Sequence, residues 1–135
     1  MKLNQEIFTK SEFILSIIFF GYFLFASFQS QNFILLYFLF VSGFIVANII
    51  LVLVLLLITK SKKIDIDERD KFIELKAYRN AYISVITIIN IIIILSIFNH
   101  NIFTPFVLFS SLFSTLFISN IVLNLTKIYY YKRGI

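Results

Sequence analysis

A cluster of charged residues near the middle of the chain is the first candidate for chemistry. It consists of Asp65, Asp67, Glu68, Arg69, Asp70 and Lys71. Clustered carboxylates suit Ca²⁺ or Mg²⁺, but this cluster lacks the glycine and the distal glutamate of a calcium loop, and it contains two cations. Acids three residues apart are also typical of a capped helix start. We therefore expect a solvated helix start without a metal, capped by Asp65 with Glu68 or by Asp67 with Asp70.

Other catalytic chemistry has little support in the composition. The chain has no cysteine, which excludes disulfides, thiolate catalysis and cysteine-ligated metals. Its one histidine, His100, rules out bis-histidine haem ligation and is expected to be a solvated loop residue. Neither a nucleophile–base pair nor a metal-ligand cluster can be assembled. We expect a protein that is not an enzyme and holds no cofactor.

Polar residues inside apolar stretches are the second set of candidates. They are Asn48, Asn90, Asn120, Asn124, Ser111, Thr115 and Ser119. Asn48 and Asn90 each lie ~15 Å from the cytoplasmic end of their helices, so we expect them to bond each other or a symmetry mate in an oligomer. The small residues at four-residue spacing predict a helix-packing ridge, which a shorter ridge of Gly43 and Ala47 in the second stretch would match. A hydroxyl-lined conduit is the alternative.

The elements that must position these residues are four apolar stretches. The chain is 60% hydrophobic and 14% charged, whereas soluble domains average about 45–50% and 25%. Membrane helices are predicted at about 13–28, 33–58, 81–98 and 105–125, the third with a cytoplasmic extension from about 66. Thr9 is expected to cap the first helix and Thr104, before Pro105, the fourth. The 135 residues form one all-α membrane domain.

The basic residues predict the orientation of these helices. All 12 Lys and Arg residues lie in the two terminal segments or in the linker 59–80, and the connections around 29–32 and 99–104 carry no charge. Loops rich in Lys and Arg stay cytoplasmic. We therefore expect a four-helix bundle of two antiparallel hairpins in the cell membrane, with both termini cytoplasmic. This pattern also explains the net charge of +5, so nucleic acid binding is not expected.

One motif resembles a known family. The run Asp67-Glu68-Arg69-Asp70, followed by Lys76-Ala77 before a membrane segment, is similar to a motif in an uncharacterised family of small prokaryotic multi-pass membrane proteins. The resemblance implies a membrane protein of unknown function. It brings no catalytic residues with it.

The absence of charged residues from the apolar cores counts against a proton-coupled carrier. Proton-coupled carriers normally need an ionisable group inside the membrane, and here Glu12 lies only at the membrane edge. We expect an interaction or regulatory subunit that presents residues 59–80, with the cluster from Asp65 to Lys71, to a cytoplasmic or membrane partner. The alternative is a small oligomeric channel or facilitator lined by the intramembrane Asn and Ser residues.

Overall fold

Four long helices dominate the computed structural model, which describes residues 3–29, 32–58, 64–65, 67–99 and 104–133. The helices are α1 (Gln5–Gln29), α2 (Phe33–Ile58), α3 (Glu68–Phe98) and α4 (Pro105–Arg133). Two short strands, β1 (Leu3–Asn4) and β2 (Ile64–Asp65), pair in parallel. All four helices are long and apolar enough to cross a membrane. The predicted all-helical protein with four candidate spans is therefore confirmed.

The helix boundaries agree with the sequence where capping residues mark them. α2 has the predicted bounds, and α4 begins at Pro105 as expected. At the start of α3, the Asp70 N–H donates to Asp67 Oδ1 at 2.7 Å, and the Asp67 N–H donates to Asp70 Oδ2 at 3.1 Å. This capping box confirms the pair Asp67 with Asp70. The alternative pair is wrong, because Asp65 belongs to β2.

Two helices are longer than their apolar stretches. α1 begins at Gln5 rather than near residue 13, and the predicted cap Thr9 is a fully buried residue inside the helix, where its hydroxyl donates to the Gln5 carbonyl at 2.9 Å. α4 continues to Arg133 rather than ending near residue 125. Both extensions carry polar side chains that are buried against other helices, so tertiary packing continues each helix beyond its lipid-soluble part.

The helices pack in the order α2, α1, α4, α3, so that α1 contacts both α2 and α4 and α3 contacts α4. A largely aromatic core joins α1, α2 and α4. Its buried members are Phe23, Leu36, Phe40, Phe113 and Phe117. The Phe23 ring is central, with its centroid 4.6 Å from that of Phe113 and 5.3 Å from that of Phe40. Edge-to-face contacts of this kind add specific geometry to the packing.

The predicted packing of Gly43 against the small-residue ridge of α4 is corrected. A Cβ atom added at Gly43 would lie 3.6 Å from the Phe19 ring, so this small residue makes room for an aromatic side chain of α1. Large apolar side chains cover the outer surface of all four helices, as at Leu57 of α2 and Phe98 of α3. Such a surface suits lipid, whereas soluble proteins rarely expose apolar patches of this extent.

Candidate functional site

A second core, made of polar side chains, lies at the other end of the bundle. We call it the polar junction. Three helices contribute its members: Gln5, Thr9, Glu12 and Ser16 from α1; Asp70, Glu74 and Tyr78 from α3; Asn120, Asn124, Lys127 and Tyr131 from α4. The residues of α1 and of α4 recur at intervals of three and four, which places each set on one helical face. Both faces turn inward, so the junction collects polar groups that the lipid cannot solvate.

The start of α3 is fastened to the end of α4 by Asp70 and Tyr131, both 9% exposed. The Tyr131 hydroxyl donates to Asp70 Oδ1 at 2.9 Å, and Arg69 Nη2 donates to the Tyr131 carbonyl at 3.3 Å. The prediction of a fully solvated helix start is therefore wrong at Asp70. Its carboxylate closes the capping box with one oxygen and accepts from another helix with the other.

Lys127 places a cation inside this junction. The side chain belongs to a residue that is only 6% exposed, and its Nζ lies 3.8 Å from Glu74 Oε1 and 5.8 Å from the centroid of the Tyr78 ring. The Glu12 carboxylate of α1 interacts electrostatically with the same ammonium and with the Tyr78 hydroxyl. Glu74 is the carboxylate in contact with this buried ammonium, and Glu12 adds a longer-range interaction with it. Buried charges of this kind need partners, which explains why three helices converge here.

Two amide oxygen atoms of the junction have no hydrogen-bond donor among the described residues. Asn124 is 0% exposed, and its Nδ2 donates to Asn120 Oδ1 at 3.0 Å, but its own Oδ1 is buried without a hydrogen-bond partner among the described residues. Gln5 Oε1 is in the same situation. The Ser16 hydroxyl donates its hydrogen bond to the Glu12 backbone carbonyl at 2.8 Å. The junction therefore offers more hydrogen-bond acceptors than donors.

The six charged residues predicted to bind a partner have different surroundings. Asp67 and Asp70 form the capping box, and Arg69 with Asp70 joins the polar junction. Glu68 and Lys71 lie exposed on the surface of α3. The Asp65 side chain lies outside the described part of the structure, as do residues 59–63 of the predicted partner-binding segment and His100.

Asn48 and Asn90 do not form the predicted hydrogen bond with each other. Asn48 Nδ2 donates to the Phe44 carbonyl and Asn90 Nδ2 to the Ile86 carbonyl, each at 2.8 Å within its own helix. The predicted bond between Asn48 and Asn90 is therefore absent from this single chain, since α2 packs against α1 and α3 against α4. A bond to a symmetry mate stays a prediction.

The small-residue ridge of α4 is partly buried. Thr115 is fully buried and donates to the Ser111 carbonyl at 2.9 Å, while Ser111 donates to the Leu108 carbonyl at 2.8 Å. Ser119 is half-buried. The hydroxyl protons of Ser111 and Thr115 are thus used within α4, so these two residues offer a passing solute acceptors but no free donors.

Sequence reasoning missed the polar face that α1 contributes to the junction, although a signal for it exists. Gln5, Thr9, Glu12 and Ser16 follow the 4-3-4 spacing of one helical face, which becomes visible once α1 is allowed to begin before its apolar stretch. Among the described residues, no group of three or more His, Cys, Asp or Glu side chains is arranged to hold a metal ion. Comparison with family models, with characterised proteins and with solved structures gave no significant match.

Proposed function

We propose that the chain is a cell-membrane protein that crosses the bilayer four times as two antiparallel hairpins. Its aromatic contacts support this arrangement: Phe19 meets Phe44 and Phe23 meets Phe40, so moving forward along α1 moves backward along α2. Asp70 with Tyr131 and Glu74 with Lys127 give the same opposite direction for α3 and α4.

Both chain ends belong on the cytoplasmic side. The basic residues of the two terminal segments and of the linker between α2 and α3 support this orientation through the positive-inside rule. The pairing of β1 with β2 adds independent support, because it brings the N-terminal segment next to that linker. The polar junction then lies toward the cytoplasmic surface, where water and lipid headgroups are near.

The role we propose is that of a non-enzymatic interaction or regulatory subunit, and α3 carries the argument. Its 31 residues extend over ~46 Å, whereas a hydrocarbon core is ~30 Å thick, so about the first ten residues stand outside the lipid. Within this extension Phe72 is 46% and Leu75 70% exposed. The exposure of these two apolar side chains is the single observation that favours a protein partner, given that the length of α3 puts them outside the hydrocarbon.

The chemistry of the partner follows from the surroundings of these residues. We define the α3 docking face as Glu68, Lys71, Phe72, Leu75 and Arg79, which share one side of the helix. The Lys76 ammonium lies 4.5 Å from the centroid of the Phe72 ring and adds positive charge beside this face. A basic, partly apolar helix surface fits an amphipathic helix whose apolar stripe is flanked by Asp and Glu. We propose such a cytoplasmic helix of another protein as the partner.

Site-specific photo-crosslinking in cells tests this role. A photoreactive residue at Leu75 should give a defined protein adduct, and the double charge reversal Lys71→Glu with Arg79→Glu should abolish it, since both cations are exposed and unrelated to the polar junction. Ile94, which is also exposed on α3, is the matched control because it lies at membrane depth. Adducts with lipid alone at both positions would refute the proposal.

With this packing of the helices, a channel lined by the intramembrane asparagines would require an oligomer. Asn48 and Asn90 lie on helices that belong to different pairs, so a path lined by both would run between copies of the chain. Asn48→Leu and Asn90→Leu should leave solute flux in reconstituted vesicles unchanged if the protein acts through its docking face. A loss of flux in either variant would favour the channel.

A further inference from the structure

An ammonium held by aromatic rings lies at the seam between α3 and α4. The Lys76 Nζ is 4.5 Å from the centroid of the Phe72 ring and 5.0 Å from that of the Tyr130 ring. No Asp or Glu stands three or four residues from Lys76 on α3, and Lys76 forms no ion pair with the residues that the structure describes. An aromatic face attracts an ammonium but offers it no oxygen acceptor. The N–H donors of Lys76 are therefore available to an anion from outside the chain.

A shallow cavity of about 280 Å³ opens at this ammonium. Its lining consists of Phe72, Leu75, Lys76 and Arg79, so both of its charged side chains are cations. Arg79 is exposed, and a guanidinium can present two parallel N–H donors to a phosphate. The cavity thus combines two cations with two apolar side chains.

The position of the cavity along α3 matches the boundary between water and lipid. About the first ten residues of α3 stand outside the hydrocarbon, so Lys76 and Arg79 lie within about one turn of its edge. Ile83, seven residues beyond Lys76 on the same side of the helix, is 54% exposed. An ammonium above an exposed apolar side chain fits a molecule that has an anionic head and hydrocarbon tails.

The charge around the cavity also favours an anion. The start of α3 and the end of α4, residues 67–80 and 126–133, carry seven Lys or Arg and four Asp or Glu side chains. Asp67 and Asp70 close the capping box, and Glu74 faces Lys127, so three of the four carboxylates are engaged away from the cavity. An excess of basic side chains at this depth attracts anionic lipid headgroups.

We propose that the cavity binds one anionic phospholipid, with its phosphate on Lys76 and Arg79 and its acyl chains along Ile83. Basic pockets between membrane helices hold acidic headgroups through the same contacts. Placing the lipid in the cytoplasmic leaflet rests on the orientation proposed above, whereas the binding itself does not. Because Phe72, Leu75 and Arg79 also belong to the α3 docking face, the lipid and an acidic partner helix compete for this surface.

Fluorescence quenching of a single tryptophan measures lipid occupancy at the cavity. The chain contains no tryptophan, so Tyr130→Trp introduces one emitter beside Lys76 and keeps an aromatic ring there. The full chain is reconstituted in phosphatidylcholine vesicles that contain brominated phosphatidylglycerol or brominated phosphatidylcholine at the same mole fraction in both leaflets, so the result does not depend on orientation or on a partner protein. We expect stronger quenching by brominated phosphatidylglycerol. Equal quenching by the two lipids overturns the proposal.

Charge variants separate a specific site from a general attraction between charges. Lys76→Gln and Arg79→Gln, each combined with Tyr130→Trp, should lower the preference for phosphatidylglycerol by about fivefold, as expected for one basic residue at an anionic surface. Lys76→Arg should retain the preference. Lys132→Gln is the matched control, because it removes one exposed positive charge from the side of α4 opposite to Tyr130, and it should behave like the parent. Equal losses in Lys76→Gln and Lys132→Gln overturn the proposal and leave a diffuse attraction as the explanation.

Discussion

The hydrogen bond between Tyr131 and Asp70 offers the sharpest test of how the bundle holds α3. Tyr131→Phe removes only the hydroxyl that donates to Asp70 Oδ1 at 2.9 Å and keeps the ring that packs at the junction. Asp70 keeps its second oxygen on the Asp67 N–H, so the capping box is unchanged. The substitution therefore isolates one contact between α3 and α4.

The expected cost follows from the burial of both partners. A hydrogen bond to a charged group contributes about 1.5–3 kcal/mol, and removing its donor leaves the acceptor unsatisfied. Asp70 is 9% exposed, so water can replace part of the lost contact. We expect Tyr131→Phe to lower the free energy of unfolding by about 1.5–2 kcal/mol, near the lower end of that range.

Tyr129→Phe is the matched control for this experiment. Tyr129 is 49% exposed and lies two residues away on the same helix, so loss of its hydroxyl should change the free energy of unfolding by less than about 0.5 kcal/mol. Denaturation with sodium dodecyl sulfate in mixed micelles measures both values. Hydrogen exchange should also accelerate at the start of α3 in Tyr131→Phe alone. Equal stability of the two variants would refute the proposed fastening of α3 to α4.

Two further predictions address the aromatic core and the orientation. Phe23→Ala should lower the free energy of unfolding by about 1–3 kcal/mol, which is less than the ~3–5 kcal/mol typical of soluble cores because lipid solvates the exposed surface. Phe25→Ala, at an exposed position of the same helix, is the control and should have little effect; similar values for the two variants in the same micelle assay would contradict the described core. Because the chain has no cysteine, the variants Glu68→Cys and Thr104→Cys each carry a single thiol. In intact cells a membrane-impermeant thiol reagent should label the Thr104→Cys variant and not the Glu68→Cys variant. The reverse result would overturn the proposed orientation.

The helix boundaries that were predicted correctly are those that depend on residues adjacent in the sequence. α2 lies in a charge-free run, and α4 begins at Pro105 after a threonine, so each boundary is determined by a few adjacent residues. For the start of α3 the sequence left two possible capping pairs, Asp65 with Glu68 and Asp67 with Asp70. The structure decides between them because the Asp65 backbone pairs, as part of β2, with the distant N-terminal strand β1. Two-residue strands carry no periodic pattern of their own.

The polar junction could not be predicted for a different reason. Thr9 with Glu12 has the spacing of a capping box, and Lys127 follows the last apolar stretch, in the basic C-terminal segment. The capping interpretation fails, and Lys127 is not solvated, because Thr9 and Lys127 are both buried inside the bundle. Burial of this kind depends on which helices become neighbours, and a single sequence does not contain that information in its local pattern.

The two cores contribute differently to a bundle that is surrounded by lipid. Apolar helices gain little from leaving hydrocarbon for a protein interior, so the aromatic core contributes close packing rather than a hydrophobic driving force. The polar junction differs, because lipid cannot satisfy the groups of Glu12 or Lys127, and a displaced helix would expose them. It follows that the junction fixes the register of α1, α3 and α4. Since α3 packs mainly against α4, the position of the docking face that we propose on α3 depends on the same polar contacts, Asp70 with Tyr131 foremost.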